Sequence, residues 1–317
     1  MSSVTLRSIG SFHIGGRAHV LQGQPIGRHQ TVAAAAPREI DPNGDYVVGQ
    51  MYAQEYRLSK PTSSLPVLLW HGGGMTGSQW ESTPDGRAGW LWRFLAAGYD
   101  VVVTDAVERG RASWAPYPQI YAGPPIFRTK QEAWSMFRLG PESGYASDAS
   151  QRRPFDNQQF PVHAFDAFAQ QWVPRWSHHE EMALAAYGAL VQRIGPCVVV
   201  AHSQGGGFAC DIAKRCPTLV RAVVAIEPAG VGHDPGPNDT PHLLLWADHF
   251  QPEHRVCGAY RDSADRYWHR ARQNLLPFDT LDLPARGIAG NSHFPMLDLN
   301  SDQIFNEIAR WLNKLGL

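Results

Sequence analysis

The sequence predicts an α/β fold, in which a mostly parallel sheet of eight strands is flanked by helices on both faces. Short runs rich in valine and leucine alternate with stretches of helical periodicity, which is the pattern of a parallel sheet covered on both sides. The chain has 317 residues, of which 43% are hydrophobic. This is enough for one large core that also carries an insertion.

Six apolar runs are predicted to form strands of this sheet. They are LPVLLW (65–70), DVVVTD (100–105), CVVVAH (197–202), VRAVVAIE (220–227), HLLLWAD (242–248) and DTLDL (279–283). Within residues 1–60, the alternation of apolar and polar residues in SFHIGG and YVVGQMYAQEYRL predicts two antiparallel edge strands. Together these segments account for eight strands.

Two of the helices carry clear end signals. Ser177 is followed three residues later by Glu180, which predicts a capping box at the start of a helix that ends at Gly195. A second helix is predicted near the C-terminus, after a cap at Asn300 or Ser301. Its apolar residues recur at helical spacing, so we expect it to cover one face of the sheet. They are Ile304, Phe305, Ile308, Trp311 and Leu312.

One long interval lacks the alternating pattern. Residues 106–176 are rich in proline and aromatic residues and show no β-α repeat. An insertion of this length in a compact domain is typically a lid or a binding loop, and its many aromatic residues argue against disorder. We therefore predict a cap insertion at 106–176 in a core formed by residues 1–105 and 177–317.

Composition narrows the range of partners. The net charge is −1, which argues against nucleic acid and polyanionic substrates and favours a small molecule. No apolar run reaches the length of a membrane span, and MSSVTLRSIGSFHIGG contains no signal-peptide core. We expect a cytoplasmic protein, with a trimmed secreted or periplasmic form and a homodimer left open.

The four cysteines are predicted to be free structural thiols. Cys197, Cys210, Cys216 and Cys257 form no C-x-x-C pair and have no histidine at the spacing of a zinc finger. Cys197 and Cys210 lie in apolar segments, where cysteine behaves as a small core residue.

The stretch AHSQGG marks the first candidate for chemistry. Ser203 follows a predicted strand and precedes a helix that we expect from Gln204 to about Arg215, ending before Pro217. A serine at such a turn is lifted clear of the sheet, and the N–H of Gln204 can face a negatively charged intermediate. The first small position is Ala201 where glycine is usual. A glycine-rich turn with an incidental serine is the alternative.

A second glycine-rich segment, HGGG, follows the first clear parallel strand. Glycines at this position let backbone amides approach a ligand closely. We predict that Gly73 supplies the second amide of an oxyanion hole, with Gly74 as the next candidate for that amide and as a substrate-binding residue.

His293, in IAGNSHFPMLD, is the candidate base, since it lies in a loop before the last helix. A neutral imidazole can take the serine proton and return it to a leaving group. His178 and His179 open a helix and are expected to be bystanders. His249 and His254 in DHFQPEHR resemble a metal loop, but they lack the spacing of a zinc site, so no metal is expected.

Two carboxylates stand at strand ends where either could orient His293. Glu227 lies in VVAIEPAGVG and Asp248 in LLLWADHF. The pattern alone favours neither of them.

Together these motifs resemble the α/β-hydrolase superfamily, from about residue 45 to the end of the chain. More narrowly, HGGGMTG, AHSQGG, AIEPAG and GNSHFPM resemble a group of small bacterial carboxylesterases whose triad acid is a glutamate. This resemblance implies a Ser203–His293–Glu227 triad. It also implies a vicinal cysteine pair in the oxyanion loop, where this chain has Gly73 and Gly74.

The resemblance implies a serine carboxylic-ester hydrolase with no cofactor. The aromatic insertion favours a small to medium apolar or aromatic ester, with Trp134, Phe137 and Trp172 as candidate pocket walls. Haloalkane dehalogenases and epoxide hydrolases of this superfamily have an aspartate at the position of Ser203, which argues against both. Lactonase, thioesterase and perhydrolase-like activities stay open, as does a non-catalytic ligand receptor on the same scaffold.

Overall fold

A computed structural model of the protein describes residues 3–237, 239–250 and 255–317. Within this part of the chain, the strands are β1 (Leu6–Leu21), β2 (Gly27–His29), β3 (Arg38–Ile40), β4 (Gly44–Leu58), β5 (Val67–Trp70), β6 (Val101–Asp105), β7 (Cys197–His202), β8 (Val220–Ile226), β9 (His242–Trp246) and β10 (Phe278–Asp282). The helices are α1 (Ser78–Glu81), α2 (Trp90–Ala96), α3 (Lys130–Met136), α4 (Phe165–Ala169), α5 (Glu180–Ile194), α6 (Gln204–Arg215), α7 (Arg255–Gln273) and α8 (Ser301–Lys314).

Eight of the strands form one sheet, in the order β1-β4-β6-β5-β7-β8-β9-β10. The first two pairings, β1 with β4 and β4 with β6, are antiparallel, and the others are parallel. Strands β2 and β3 pair separately as a short antiparallel ladder. The predicted mostly parallel eight-stranded sheet with antiparallel strands at one edge is therefore confirmed.

The central strands are buried on both faces, which explains why they read as continuous apolar runs. In β7, Val198 and Val200 point into one apolar cluster, whereas Val199 and Ala201 point into the other. Residues of α5, α6 and α7 cover the second cluster. Residues of α2 and α8 cover the first, so the prediction that the C-terminal helix closes one face is confirmed.

The predicted start of the helix at Ser177 is wrong. Helix α5 begins at Glu180 after His179, and no side chain caps it. The reason is tertiary: the buried carboxylate of Glu108 accepts hydrogen bonds from the backbone N–H of Trp176 and from the ring of His179. These contacts hold residues 176–179 outside the helix, and Ser177 Oγ bonds the neighbouring His178 instead.

The segment predicted to be an insertion, residues 106–176, contains α3, α4 and several single turns. It buries Trp134, Phe160, Phe165 and Phe168 in the same apolar cluster as α8 and one face of the sheet. The aromatic residues that mark this segment in the sequence are therefore largely core.

Cys197, Cys210 and Cys216 are buried free thiols, as predicted, and Cys257 is also buried. Among the described residues, no helix combines the length and the apolar character needed to cross a membrane.

Candidate active site

Ser203 lies in the turn between β7 and α6, in a strained backbone conformation. Its φ is 51° and its ψ is −119°, a region that L residues rarely occupy outside functional turns. Two amides fix the turn, because the carbonyl of Ser203 accepts hydrogen bonds from Gly206 N and Ala229 N, both at 2.9 Å. The hydroxyl makes no hydrogen bond with any described residue and faces the cavity described below.

The three glycines after Ser203 are explained by close packing. A Cβ on Gly205 would lie 2.6 Å from the carbonyl oxygen of His71, and one on Gly207 would lie 2.3 Å from that of Ala229. A Cβ on Gly206 would be 2.8 Å from Pro228. Helix α6 can therefore start against the strand ends only because these positions carry no side chain.

Of the two candidate carboxylates, Glu227 is the one that contacts His293. It follows β8, is fully buried, and its Oε2 accepts a hydrogen bond from His293 Nδ1 at 2.9 Å. Asp248 accepts instead from the amides of Gly290 and His249. Because Nδ1 of His293 donates, its Nε2 is left as an acceptor, and the ring lines the same cavity as Ser203.

No direct hydrogen bond joins Ser203 to His293 among the described residues. Such bonds are often long without substrate and shorten when it binds. Burial lowers the pKa of His293 from its ordinary value, so the ring is neutral, as a base requires.

The loop that carries His293 is held by Asp298. This buried carboxylate accepts hydrogen bonds from Ser292 N (2.9 Å), Ser292 Oγ (2.7 Å) and Asn291 Nδ2 (2.8 Å). Burial raises the pKa of Asp298 to about 6 in spite of these donors. The motif GNSHFPMLD is therefore a self-bonded loop that fixes the histidine it contains.

Further contacts hold His293 from outside this loop. The backbone N–H of His293 donates to the carbonyl of Phe137 at 3.0 Å, and the two rings stack with centroids 5.7 Å apart. His202 Nε2 donates to the carbonyl of His293 at 2.8 Å. The residue after α3 and the residue before Ser203 thus both position the candidate base.

Arg138, in the insertion, is a residue that the sequence analysis missed. Its Nη2 lies 2.6 Å from Glu227 Oε1, and its Nε donates to the carbonyl of Asp248 at 2.7 Å. Ala247 N also donates to Oε1 of Glu227, at 2.8 Å. Burial acts to raise the pKa of Glu227, but the charges of Arg138 and His293 bring it below its ordinary value, so the carboxylate is ionised.

Two backbone amides are available to bind an oxyanion. Neither Gly73 N nor Gln204 N donates a hydrogen bond to a described residue. The loop around Gly73 is fixed by His71, whose Nδ1 donates to Gly72 O (2.8 Å) and whose Nε2 accepts from Ala106 N (2.9 Å). Burial lowers the pKa of His71 to about 4, so the ring stays neutral in this role.

These groups converge on one cavity of about 230 Å³. Its lining includes Gly73, Phe137, Ser203, Gln204, His293 and Phe294. The structure thus brings together five of the predicted site residues here, and Glu227 lies behind His293.

Three other predicted pocket residues lie outside the lining of this cavity. Gly74 has a φ of 75° and its carbonyl accepts from Val173 N, so it forms a turn. Trp134 is fully buried and its Nε1 donates to Pro141 O at 3.1 Å. Trp172 packs behind the wall, with its ring centroid 6.1 Å from that of Phe137.

Of the two histidines that resemble a metal loop, His249 lies among the described residues. His249 stacks on Phe155 at 4.2 Å, and His254 lies outside the described residues. No group of three or more potential ligands occurs in the part of the chain that the structure describes.

A bacterial esterase of known structure matches almost the whole chain. Its TM-score is 0.83, its sequence is 27% identical, and the match covers 99% of this chain and 98% of that one. The chain has the α/β-hydrolase fold.

The hydrolase is also similar to a probable secreted lipase, phiG, from a fungus (Fungal sp. strain ATCC 74256). The two sequences are 27% identical, and the match covers 86% of the hydrolase and 88% of the lipase. No protein-family model matches the chain. These two relatives support the predicted enzyme class, a carboxylesterase-type hydrolase.

Proposed function

We propose that this hydrolase cleaves a carboxylic ester through an acyl-enzyme formed on Ser203. The observation that carries the proposal is the convergence of Ser203, His293 and two unengaged amides on one cavity, with Glu227 bonded to the far nitrogen of His293. The esterase and lipase relatives support the same reaction class.

Each residue has a distinct role in this reaction. His293 Nε2 takes the proton as Ser203 Oγ attacks the ester carbonyl, and it then protonates the leaving alkoxide. The amides of Gly73 and Gln204 bind the oxygen that becomes negative. Water then attacks the acyl group by the same route, and Glu227 stabilises the charged imidazole in both steps.

The cavity supports a small ester with an apolar portion. Its volume of about 230 Å³ lies just below the usual range for ligand pockets. Phe137, Phe208 and Phe294 supply apolar wall. We propose that Trp172 acts by supporting Phe137, and that Trp134 supports Trp172 in turn through Phe165.

Ser203 and His293 are both present at the cavity, which weighs against a non-catalytic receptor. Lactonase, thioesterase and perhydrolase-like reactions use the same machinery and are separated by substrate. A cytoplasmic location stays a prediction, since the fungal relative is described as secreted.

The test is Ser203→Ala assayed with p-nitrophenyl acetate. We expect kcat to fall by roughly a thousandfold or more, with the circular dichroism spectrum unchanged. Turnover retained in the folded variant would remove Ser203 as nucleophile. A panel of esters that varies acyl and alcohol size then maps the pocket.

A further inference from the structure

We infer that the substrate is an ester carrying a second, anionic group, a carboxylate, and that Arg175 binds that group. The inference rests on the proposed ester hydrolysis and names the substrate class of the same site. The expected substrate is then not wholly apolar: its chain lies along the apolar walls of the cavity and ends in a negative charge.

Arg175 is fixed at the wall of the cavity. Its backbone pairs with Ile126 in an isolated antiparallel bridge, through hydrogen bonds of 2.7 and 3.1 Å. A Cβ on Gly73 would lie 2.8 Å from Nη1 of Arg175, so the guanidinium stands against the loop proposed to bind the oxyanion. A bound ester carbonyl would therefore lie close to a positive charge.

The guanidinium of Arg175 has no partner among the described residues. It makes no ion pair and no hydrogen bond with any described residue, although its side chain is half-buried. Buried arginines elsewhere in the protein are paired: Arg109 with Glu108 at 2.5 Å, Arg138 with Glu227 at 2.6 Å, and Arg152 with Asp166 at 2.8 Å. A partly desolvated guanidinium with five donors and no acceptor is matched by a ligand that brings one.

A second arginine strengthens the positive field of the cavity. Arg128 lines it with a side chain only 11% exposed, and its partner Glu132 is 52% exposed at 3.0 Å. Burial lowers the pKa of Arg128, and the positive charge of Arg175 also acts to lower it. An anion bound near both arginines would offset these two effects on Arg128, because a negative charge stabilises the charged guanidinium.

Negative charge does not balance these arginines from within the described lining. The one lining carboxylate there is Glu180, which is exposed at the first turn of α5. His202 and His293 are also in the lining, and burial lowers the pKa of each, so neither is charged at neutral pH. The cavity thus presents two cations against one solvated anion, beside an apolar wall.

The experiment compares a charged ester with a neutral isostere. Monomethyl glutarate carries a carboxylate, and methyl 5-oxohexanoate replaces it with a methyl ketone of similar size. Methanol release by the wild type should favour the charged ester in kcat/KM by roughly tenfold or more, mainly through KM. Monomethyl succinate and adipate bracket the distance between the ester and the charge.

Arg175→Met should reduce that preference by roughly tenfold or more, and Arg175→Lys should restore part of it. Arg221→Met, an exposed arginine in β8, is the matched control and should leave the preference unchanged. As a readout independent of turnover, calorimetry should detect glutarate binding to Ser203→Ala and weaker binding to Ser203→Ala with Arg175→Met.

Three results would overturn the inference. One is a wild type without preference for the charged esters of any length. Another is an Arg175→Met variant in which kcat/KM falls equally for both esters, which would mean that Arg175 only supports the oxyanion loop. The third is glutarate binding that Arg175→Met leaves intact. Hydrolysis of p-nitrophenyl acetate separates these failures from failure of the proposed function, because only the latter abolishes that activity.

Discussion

At the scale of single residues, the proposed acid is distinguished from its neighbour by its contacts. Glu227 accepts hydrogen bonds from His293, Arg138 and Ala247 N. The side chain of Asp248 accepts hydrogen bonds from backbone amides alone. Glu227→Gln should therefore lower kcat for p-nitrophenyl acetate by about a hundredfold to ten-thousandfold, since the imidazolium loses its counter-charge. Asp248→Asn is the matched control and should change kcat little. A larger loss in Asp248→Asn would reverse the assignment.

Arg138 is expected to act as a positioning residue, and its signature is in the pH profile. Burial lowers the pKa of His293, and the positive charge of Arg138 lowers it further. Activity is lost as pH falls through this pKa, because the base becomes protonated. Removing the charge in Arg138→Met raises the pKa, so the acid limb of kcat/KM should move to higher pH.

Arg138→Lys is the control for this prediction, because it keeps the charge and loses the two-point contact. Its acid limb should stay near that of the wild type while kcat falls. If Arg138→Met lowered kcat without moving the limb, Arg138 would have a structural role alone.

Sequence reasoning can propose site residues that sit in local motifs, and it misses contacts that do not. Ser203 and His293 were recognisable because a turn or loop of a few residues defines each. Glu227 could be preferred over Asp248 only through a resemblance. Arg138 is 89 residues from Glu227 in the chain and lies in a segment without periodicity, so only folding reveals the contact.

At the scale of elements, local signals predicted well where packing agreed with them. Helix α6 spans Gln204–Arg215, the predicted bounds, because the strained turn before it and Pro217 after it are both local. The predicted start of α5 is wrong because the capping signal at Ser177 competes with contacts to Glu108, a residue far away in the sequence. Helix ends are thus predictable only when no distant side chain holds the flanking backbone.

The glycines of α6 give a test at this scale. Gly207→Ala should destabilise the protein by about 1–3 kcal/mol, because its Cβ would lie 2.3 Å from a backbone carbonyl and must displace it. The intrinsic helix propensity of alanine acts in the opposite direction, by about 1 kcal/mol. Urea unfolding measures the net effect.

Gly188→Ala in α5 is the matched control, since its Cβ would meet one side-chain atom at 3.8 Å. It should be neutral or stabilising. Equal effects of the two substitutions would show that helix propensity and not packing decides the residue at 207.

At the scale of the whole molecule, the site forms where parallel strands end together. Strands β5, β7 and β8 are adjacent, and the residues that follow them are the loop of Gly73, Ser203 and Glu227. The sequence order of motifs predicted this arrangement, because carboxyl ends of parallel strands share one edge. It could not predict how residues 106–176 close over that edge, since those contacts follow no repeating pattern.

Buried histidines make the fold sensitive to acid. Burial lowers the pKa of His71 and of His242 to about 4 from 6.5, and that of His202 well below 6.5. Between pH 6.5 and 4 these histidines are protonated in the unfolded chain but neutral in the folded protein. The free energy of unfolding therefore falls as the pH drops towards 4. The loss in unfolding free energy is about 3 kcal/mol for each of His71 and His242. The pKa of Asp298 is raised to about 6, so this carboxyl stabilises the folded protein as the pH falls and offsets the loss from roughly one of these histidines.

His242 allows this acid sensitivity to be tested away from the cavity. It is the first residue of β9, whereas Ser203 follows the last residue of β7, at the other end of the parallel strands. Its Nδ1 donates to Thr240 O at 2.7 Å, a bond that glutamine can replace without titrating. Between pH 7 and 4.5, His242→Gln should lose about 2 kcal/mol less unfolding free energy in urea than the wild type. His269→Gln, an exposed position in α7, should keep the wild-type dependence. An unchanged pH dependence in His242→Gln would show that His242 does not contribute to the acid sensitivity.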